Sequence, residues 1–430
     1  MMSRTFLIIL LLMLWLAEFS LQVWDVPLNN QVRPIMWFIS GLLFCGLSLW
    51  WLLRERGAEN VRTDITRVEA WQRWLPWVVF LGGMVLAGRS LQGRFEEIPI
   101  DPYWSDIVPS IQLYVTRLLA GEPVYVPMEF PGWTVLPTYF PMMWLPYVPA
   151  EVFGFDYRWV AFGLFAFAVA VWVWHAARVG AGWISLTAFA GAPFVAVWLM
   201  ADGVRGQVFG MAVELMPVAL YLLLALALLQ KRLWLLALAI VGCLLSRYAF
   251  TFWLPVLFMV MLLEEGWWKT IRTGLIVAVG VGLLYVLPFL SRDWSILKNG
   301  LDYYHTTAVG QWHTQSFQSP GEKPHHLNQG FSFALYFYDF ARGDVEDRLS
   351  LNRKVHMLAS LLAAALLFVC TRLWRRRLQW RLTMLVGLKF YLTVFYGLFH
   401  VPFSYLYWLP LFLAFPVFVV ILTPNKVKRG

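Results

Sequence analysis

The sequence predicts an all-α polytopic membrane protein with about twelve transmembrane helices and two large loops on the outer face. Three observations predict it. Of the 430 residues, 60% are hydrophobic and only 14% are charged, against roughly 25% charged in an average soluble domain. Apolar runs of about 17 to 25 residues, the length that crosses a bilayer as a helix, recur from one end of the chain to the other. Basic residues collect in alternate short loops, as the positive-inside rule requires.

Candidate spans in order are about 6–23, 35–53, 75–92, 158–177, 183–200, 207–229, 233–246, 249–263, 273–290, 355–371, 383–400 and 404–422. The first follows Arg4 and has no persuasive small-residue cleavage site, so it reads as a retained signal-anchor helix. With the N-terminus in the cytoplasm, the cytoplasmic loops carry Arg54, Arg56, Arg62, Arg67 and Arg73, then Arg178, then Lys231 and Arg232, then Lys269 and Arg272. Arg372, Arg375, Arg376, Arg377 and Arg381 follow, and the tail adds Lys426, Lys428 and Arg429. Both termini are therefore expected to be cytoplasmic. The formal net charge of +9 is accounted for by these loops and implies no nucleic-acid partner. Two long segments, about 93–157 and 291–354, fall outside.

The stretch from Pro137 to Pro149 is apolar but holds four prolines, which a spanning helix tolerates poorly. It is expected at the outer interface. Residues 106–120 place Ile107, Ile111, Tyr114, Val115 and Leu118 at helical spacing and predict an amphipathic helix lying on the membrane, ended by Gly121 and Pro123. Cys45, Cys243 and Cys370 are far apart, inside apolar runs and without metal-ligand spacing.

Chemistry is expected on the outer face. Glu96, Glu97, Asp101 and Asp106 emerge where the third span leaves the bilayer, and a carboxylate held there can serve as general base toward a hydroxyl. From spacing alone the stronger reading of Asp106 is as a cap for the helix that follows. Arg89, Arg205 and Arg247 lie near outer span ends, where guanidinium groups either hold a lipid phosphate or snorkel to the head groups; Arg247 is followed by Tyr248. Glu214 and Lys389, inside spans, read most simply as a structural ion pair, with an ion path as the other reading. His305, His313, His325 and His326 share the second outer loop in no zinc spacing, so no metal is implied. One of them as a donor to phosphate or sugar is the better reading, and Asn328 and Gln329 offer planar amides suited to sugar hydroxyls. No phosphate-binding loop or dinucleotide fingerprint is present.

Four stretches in this order resemble polytopic glycosyltransferases of the GT-C fold, and most closely the polyprenyl-phosphate-sugar-dependent mannosyltransferases of glycosyltransferase family 87. The first is Asp106 to Tyr125, an acid, an amphipathic helix and Gly-x-x-x-Tyr, followed by Tyr139-Phe-Pro141. The second is Gly206-Gln207. The third is Leu245-Ser-Arg247-Tyr248 with the later Trp267-Trp268-Lys269. The fourth is Asn328-Gln329-Gly330-Phe331-Ser332, with Pro402-Phe-Ser404-Tyr-Leu-Tyr-Trp-Leu-Pro410 closing the chain. Arg247 stands where lysine is commoner in the family, Gly330 where serine is usual, and Ser110 where an aromatic is expected.

The resemblance covers roughly 75–422 and divides the chain into an extra pair of helices with a basic loop, 1–74, and a GT-C-like domain, 75–430. It implies an inverting transfer of a sugar, mannose first, from a polyprenyl-phosphate donor to a lipid or glycan acceptor, in a bacterial inner membrane and without a cofactor. Asp106 would be the base. Arg89, Asp101, Arg205, Gln207, Arg247, Tyr248, His305, Asn328 and Gln329 would bind substrate, and membrane lipids would surround the bundle. A lipid or sugar transporter or flippase, and a polysaccharide polymerase or ligase using lipid pyrophosphate donors, are the competing readings.

Overall fold

A computed structural model describes residues 3–26, 28–55, 70–313 and 322–423. The expected cytoplasmic residues Arg56, Arg62, Arg67, Lys426, Lys428 and Arg429 lie outside the described residues. The fold is helical, and the described residues contain one two-stranded hairpin, β1 (Met128–Phe130) and β2 (Trp133–Val135), with Phe130 opposite Trp133. The helices are α1 (Arg4–Val23), α2 (Val32–Glu55), α3 (Ala70–Glu97), α4 (Ile107–Leu119), α5 (Val148–Phe153), α6 (Arg158–Arg178) and α7 (Trp183–Asp202). The chain continues as α8 (Val208–Met211), α9 (Leu215–Leu229), α10 (Leu233–Leu244), α11 (Trp253–Glu264), and α12 (Trp267–Val281), prolonged by a π-helical segment, Gly282–Leu290. It ends with α13 (Ser295–Gln311), α14 (His325–Gln329), α15 (Ala334–Phe340), α16 (Val345–Trp374), α17 (Trp380–Gly397), α18 (Trp408–Phe412) and α19 (Ala414–Leu422).

Among the described residues, eight helices are long and apolar enough to cross a membrane: Arg4–Val23, Val32–Arg54, Trp71–Glu97, Arg158–Arg178, Trp183–Asp202, Trp267–Leu290, Val345–Trp374 and Ser404–Leu422. The protein is thus an all-α polytopic membrane protein by length and composition. Three expected spans coincide with shorter helices, α9, α10 and α11, of 15, 12 and 12 residues. The run expected as one helix over 207–229 is broken: α8 lasts one turn, Ala212 is extended, and α9 starts only after Glu214. Glu214 therefore stands at a helix start instead of two turns inside one.

Both ends of the bundle are tied by hydrogen bonds from side chains and backbone. At one end Arg94 donates to the Ala201 carbonyl (2.7 Å) and Val204 N–H to the Val23 carbonyl (3.0 Å), while Phe333 N–H donates to the Gly397 carbonyl (2.7 Å). Arg158, buried at the start of α6, donates to the carbonyls of Ile98 (2.6 Å), Gly210 (2.9 Å) and Phe95 (3.0 Å), and pairs with Asp156. It satisfies backbone acceptors left over where α3 and α8 end. At the other end Arg4 donates to Ile421 (2.6 Å), Gln230 pairs with His175 (2.9 Å), and Arg381 reaches Glu265 (2.8 Å). Helices α1, α2, α3, α6 and α7 consequently run in alternating directions between these ends.

Two expectations are corrected. The apolar face of α4 does not lie on a membrane: Val108, Ile111, Tyr114 and Val115 are all buried in the protein, with Tyr114 stacked on Trp144 at 5.5 Å. The proline-rich segment, folded into one-turn 3₁₀ helices at Pro141–Met143 and Leu145–Tyr147 and then α5, supplies the apolar surface it needs. Glu214 and Lys389 do not pair with each other. Lys389 is fully buried and donates to both oxygens of the equally buried Glu18 (2.8 and 3.1 Å) and to the Pro410 carbonyl (2.9 Å), so the first helix is clamped to the last third of the chain.

Candidate functional site

At the end of the bundle where α3, α7, α10 and α17 finish, a cavity of about 620 Å³ is lined by residues from seven separated stretches, including Asp106, Arg205, Gln207, Glu214, Arg247 and Gln329. Asp106 is placed by the turn before α4. The Asp101 carboxylate accepts from Tyr103 N–H (2.8 Å), its carbonyl accepts from Trp104 and Ser105 N–H (3.0 and 3.2 Å), and the Ser105 hydroxyl accepts from Ile107 N–H (3.3 Å). With Ser105 engaging the first helical N–H, Asp106 sits in helical conformation (φ −77°, ψ −8°) and its carboxylate makes no cap. The alternative role of Asp106 as an N-cap is therefore not used, and among the described residues no cation pairs with it. Burial raises the pKa of its carboxyl above the ordinary aspartate value, since desolvation penalises the charged form.

Across the cavity, Arg247 occupies an extended position (φ −142°, ψ 130°) between α10 and the turn Tyr248–Phe250, and its guanidinium pairs with the Glu214 carboxylate. The pair is half satisfied: Arg247 Nε and Glu214 Oε2 are buried with no protein partner. Buried polar atoms of that kind call for a ligand or water partner. Arg205 donates to the carbonyls of Leu21 and Gln329 (the latter at 3.2 Å) and lies 4.7 Å from the Phe331 ring centre. Gln329 thus enters the site through its backbone as well as its position. The loop 203–207 and the turn after α14 each depend on a glycine where backbone packs closely. A Cβ on Gly206 would stand 1.8 Å from the Ala201 carbonyl oxygen, and one on Gly330 would stand 2.6 Å from Pro402.

Tyr139, Tyr303, Tyr304 and Tyr405 also line the cavity, a set that spacing alone did not reveal because it comes from three distant segments. Tyr248 completes the wall, with its ring 5.8 Å from that of Tyr304. His325 and His326 lie at the rim; burial, with the neighbouring His325, pushes His326 down to about 4, so it is neutral near pH 7.

Four expected site residues do not line this cavity. Arg89 is exposed on the outside of α3, Asp101 is used up in the turn that carries Asp106, and Asn328 accepts from Asn30 at the base of α2. His305 faces a second cavity of about 290 Å³, where it pairs with Arg353. That cavity shares Thr138, Phe140, Tyr248 and Tyr304 with the first. Among the described residues, no group of three or more His, Cys, Asp or Glu side chains is arranged to hold a metal ion. Comparison with protein-family models, with curated proteins and with solved structures finds no match to this chain.

Proposed function

We propose that the protein is an inverting glycosyltransferase that moves a hexose or pentose, mannose first among them, from a polyprenyl-phosphate carrier to a hydroxyl of a lipid or glycan acceptor. The observation that supports it is the cavity that sets an uncapped, desolvated carboxylate, Asp106, against a wall holding Arg205 and the Arg247–Glu214 pair. The sequence resemblance to the GT-C fold is the second support. In this reading the short helices α9, α10 and α11, together with α17, also cross the membrane, giving twelve passages. The cavity end faces outward, because Arg178, Lys231, Arg232, Lys269, Arg272 and Arg381 all fall at the opposite end.

The step is a single displacement. The acceptor oxygen attacks the anomeric carbon as the bond from that carbon to the phosphate oxygen breaks, and the configuration inverts. The acceptor proton passes to an oxygen of the Asp106 carboxylate, and the electron pair of the broken bond leaves on the carrier phosphate. A carboxyl whose pKa is raised by burial is the stronger base, which suits this task. Glu214 Oε2 is free to accept from a sugar hydroxyl, and the tyrosines offer donors around the ring.

The test is transfer of labelled mannose from polyprenyl-phosphate-mannose by purified, reconstituted protein, wild type beside Asp106→Asn. The expected loss is about 10²- to 10⁴-fold, the range supplied by a general base. Full activity in the variant removes Asp106 from the role, and absence of transfer from every monophosphate-linked sugar tried with wild type refutes the reaction class.

A further inference from the structure

The second cavity has an uneven lining. Tyr125, Pro137, Tyr285, Ile296, Leu297 and Leu301 give it apolar surface, and Arg353, His305 and His400 add nitrogen groups. Tyr285 belongs to the π-helical segment Gly282–Leu290, a widened turn of the kind that often marks a functional site. There its ring meets those of Tyr125 (5.9 Å) and Phe140 (5.6 Å). Leu283 and Leu287 on this segment, and Leu301 on α13, are 61%, 61% and 73% exposed beside it, so the cavity adjoins a lipid-facing surface.

The cations differ in what already neutralises them. Arg247 is matched by Glu214, and Arg158 by Asp156. Arg205 is occupied by two carbonyls. Arg353 has no carboxylate partner among the described residues; its guanidinium meets the ring nitrogen Nδ1 of His305. His400, 9% exposed and lining the same cavity, keeps its own Nδ1 without a partner in the protein. A guanidinium without a carboxylate partner beside an apolar slot offers the two features that an anionic, amphipathic ligand needs.

We infer that this second cavity is the seat of a phosphate-headed, single-chain lipid, with Arg353 taking the phosphate and Tyr285, Leu297 and Leu301 taking the chain. Guanidinium suits phosphate because its planar fork donates two parallel hydrogen bonds. Binding itself does not depend on the transferase reading; identifying the lipid as the sugar carrier rests on it. On that reading the shared wall of Tyr248 and Tyr304 is the passage by which a sugar on the phosphate enters the cavity of Asp106. The assignment moves the phosphate contact from Arg247, which sequence reasoning favoured, to an arginine that it did not single out.

Farnesyl phosphate is the probe, titrated onto protein in neutral phosphatidylcholine nanodiscs with empty discs as control. Wild type is expected to bind it. Arg353→Ala should weaken binding at least tenfold, Arg353→Lys should recover part of that loss, and Leu297→Trp, which fills the slot, should also weaken it at least tenfold. Asp106→Asn should bind within twofold of wild type, and absence of transfer by wild type that still binds counts against the enzyme reading alone. No binding by wild type, or equal binding by Arg353→Ala or by Leu297→Trp, overturns the proposal. So does inorganic phosphate or farnesol binding as tightly as farnesyl phosphate, because each carries only half of the ligand. Displacement by a tenfold excess of phosphatidylglycerol would show a general phospholipid site and overturn the single-chain assignment.

Discussion

Replacing Lys389 by methionine should be strongly destabilising while leaving the Asp106 cavity untouched. Its ammonium and the Glu18 carboxylate are both fully buried, and all three bonds of the ammonium are made within the protein, two to Glu18 and one to Pro410. Each charge alone costs roughly 2.5 to 3.5 kcal/mol at mid-membrane on insertion scales. Removing one partner of such a pair costs about 3 to 5 kcal/mol, because the other is left uncompensated, or must neutralise against its intrinsic pKa. Methionine fills nearly the same volume, so the loss is electrostatic and not a cavity effect. The double variant Glu18→Leu with Lys389→Met leaves no stranded charge and should recover most of that loss. The coupling is read by denaturation of the four proteins in detergent, followed with a thiol-reactive dye that reports exposure of the buried Cys45 and Cys243. A double variant as unstable as the sum of the singles refutes the pairing, and with it the clamp between the first helix and the end of the bundle.

Three further outcomes follow from the geometry. Because burial raises the Asp106 carboxyl and a base works deprotonated, kcat/KM for transfer should fall as pH drops through a value above the usual aspartate figure of about 3.9; an acid limb at or below pH 4 contradicts the assignment. Gly330→Ser should destabilise by about 1 to 3 kcal/mol, since its Cβ would stand 2.6 Å from the Pro402 carbonyl oxygen, which backbone cannot yield cheaply; an unchanged melting temperature refutes this. Arg89→Ala should leave transfer within about twofold of wild type, because the side chain is exposed away from the cavity; a tenfold loss would return it to the site.

The helices were legible because their signal is local. A run of apolar residues between basic loops identifies itself, and so does an acid standing just before an amphipathic helix, as Asp106 does. Pairings across the bundle are not local. Glu18 and Lys389 are 371 positions apart, and Glu214 and Arg247 are 33 apart on either side of two helices, so intramembrane charges announced that partners exist without saying which. Glu18 carried the same signal as Lys389, an ionisable residue inside an apolar run, and applying the rule to every such residue would have exposed the pair. Arg158 was hidden for another reason. It looks like a helix-end basic residue, and only the carbonyls of Phe95, Ile98 and Gly210 converging on it show that it closes three backbone ends.

The glycine at position 330 gives the clearest link between a sequence departure and a geometric cause. Where the resembled family usually carries serine, the side chain would meet Pro402, itself in the turn that leads to Ser404 and Tyr405 on the cavity wall. The glycine lets the turn after α14 press against that segment, which fixes the Gln329 carbonyl where Arg205 donates to it. Gly206 does the same on the opposite strand of backbone, against Ala201. Both sides of the arginine are therefore set by close backbone approach, and Arg205 is immobilised before any ligand arrives. In the proposed transfer, a guanidinium held in this way is ordered before substrate arrives, whereas a flexible lysine at the same place would have to be ordered first.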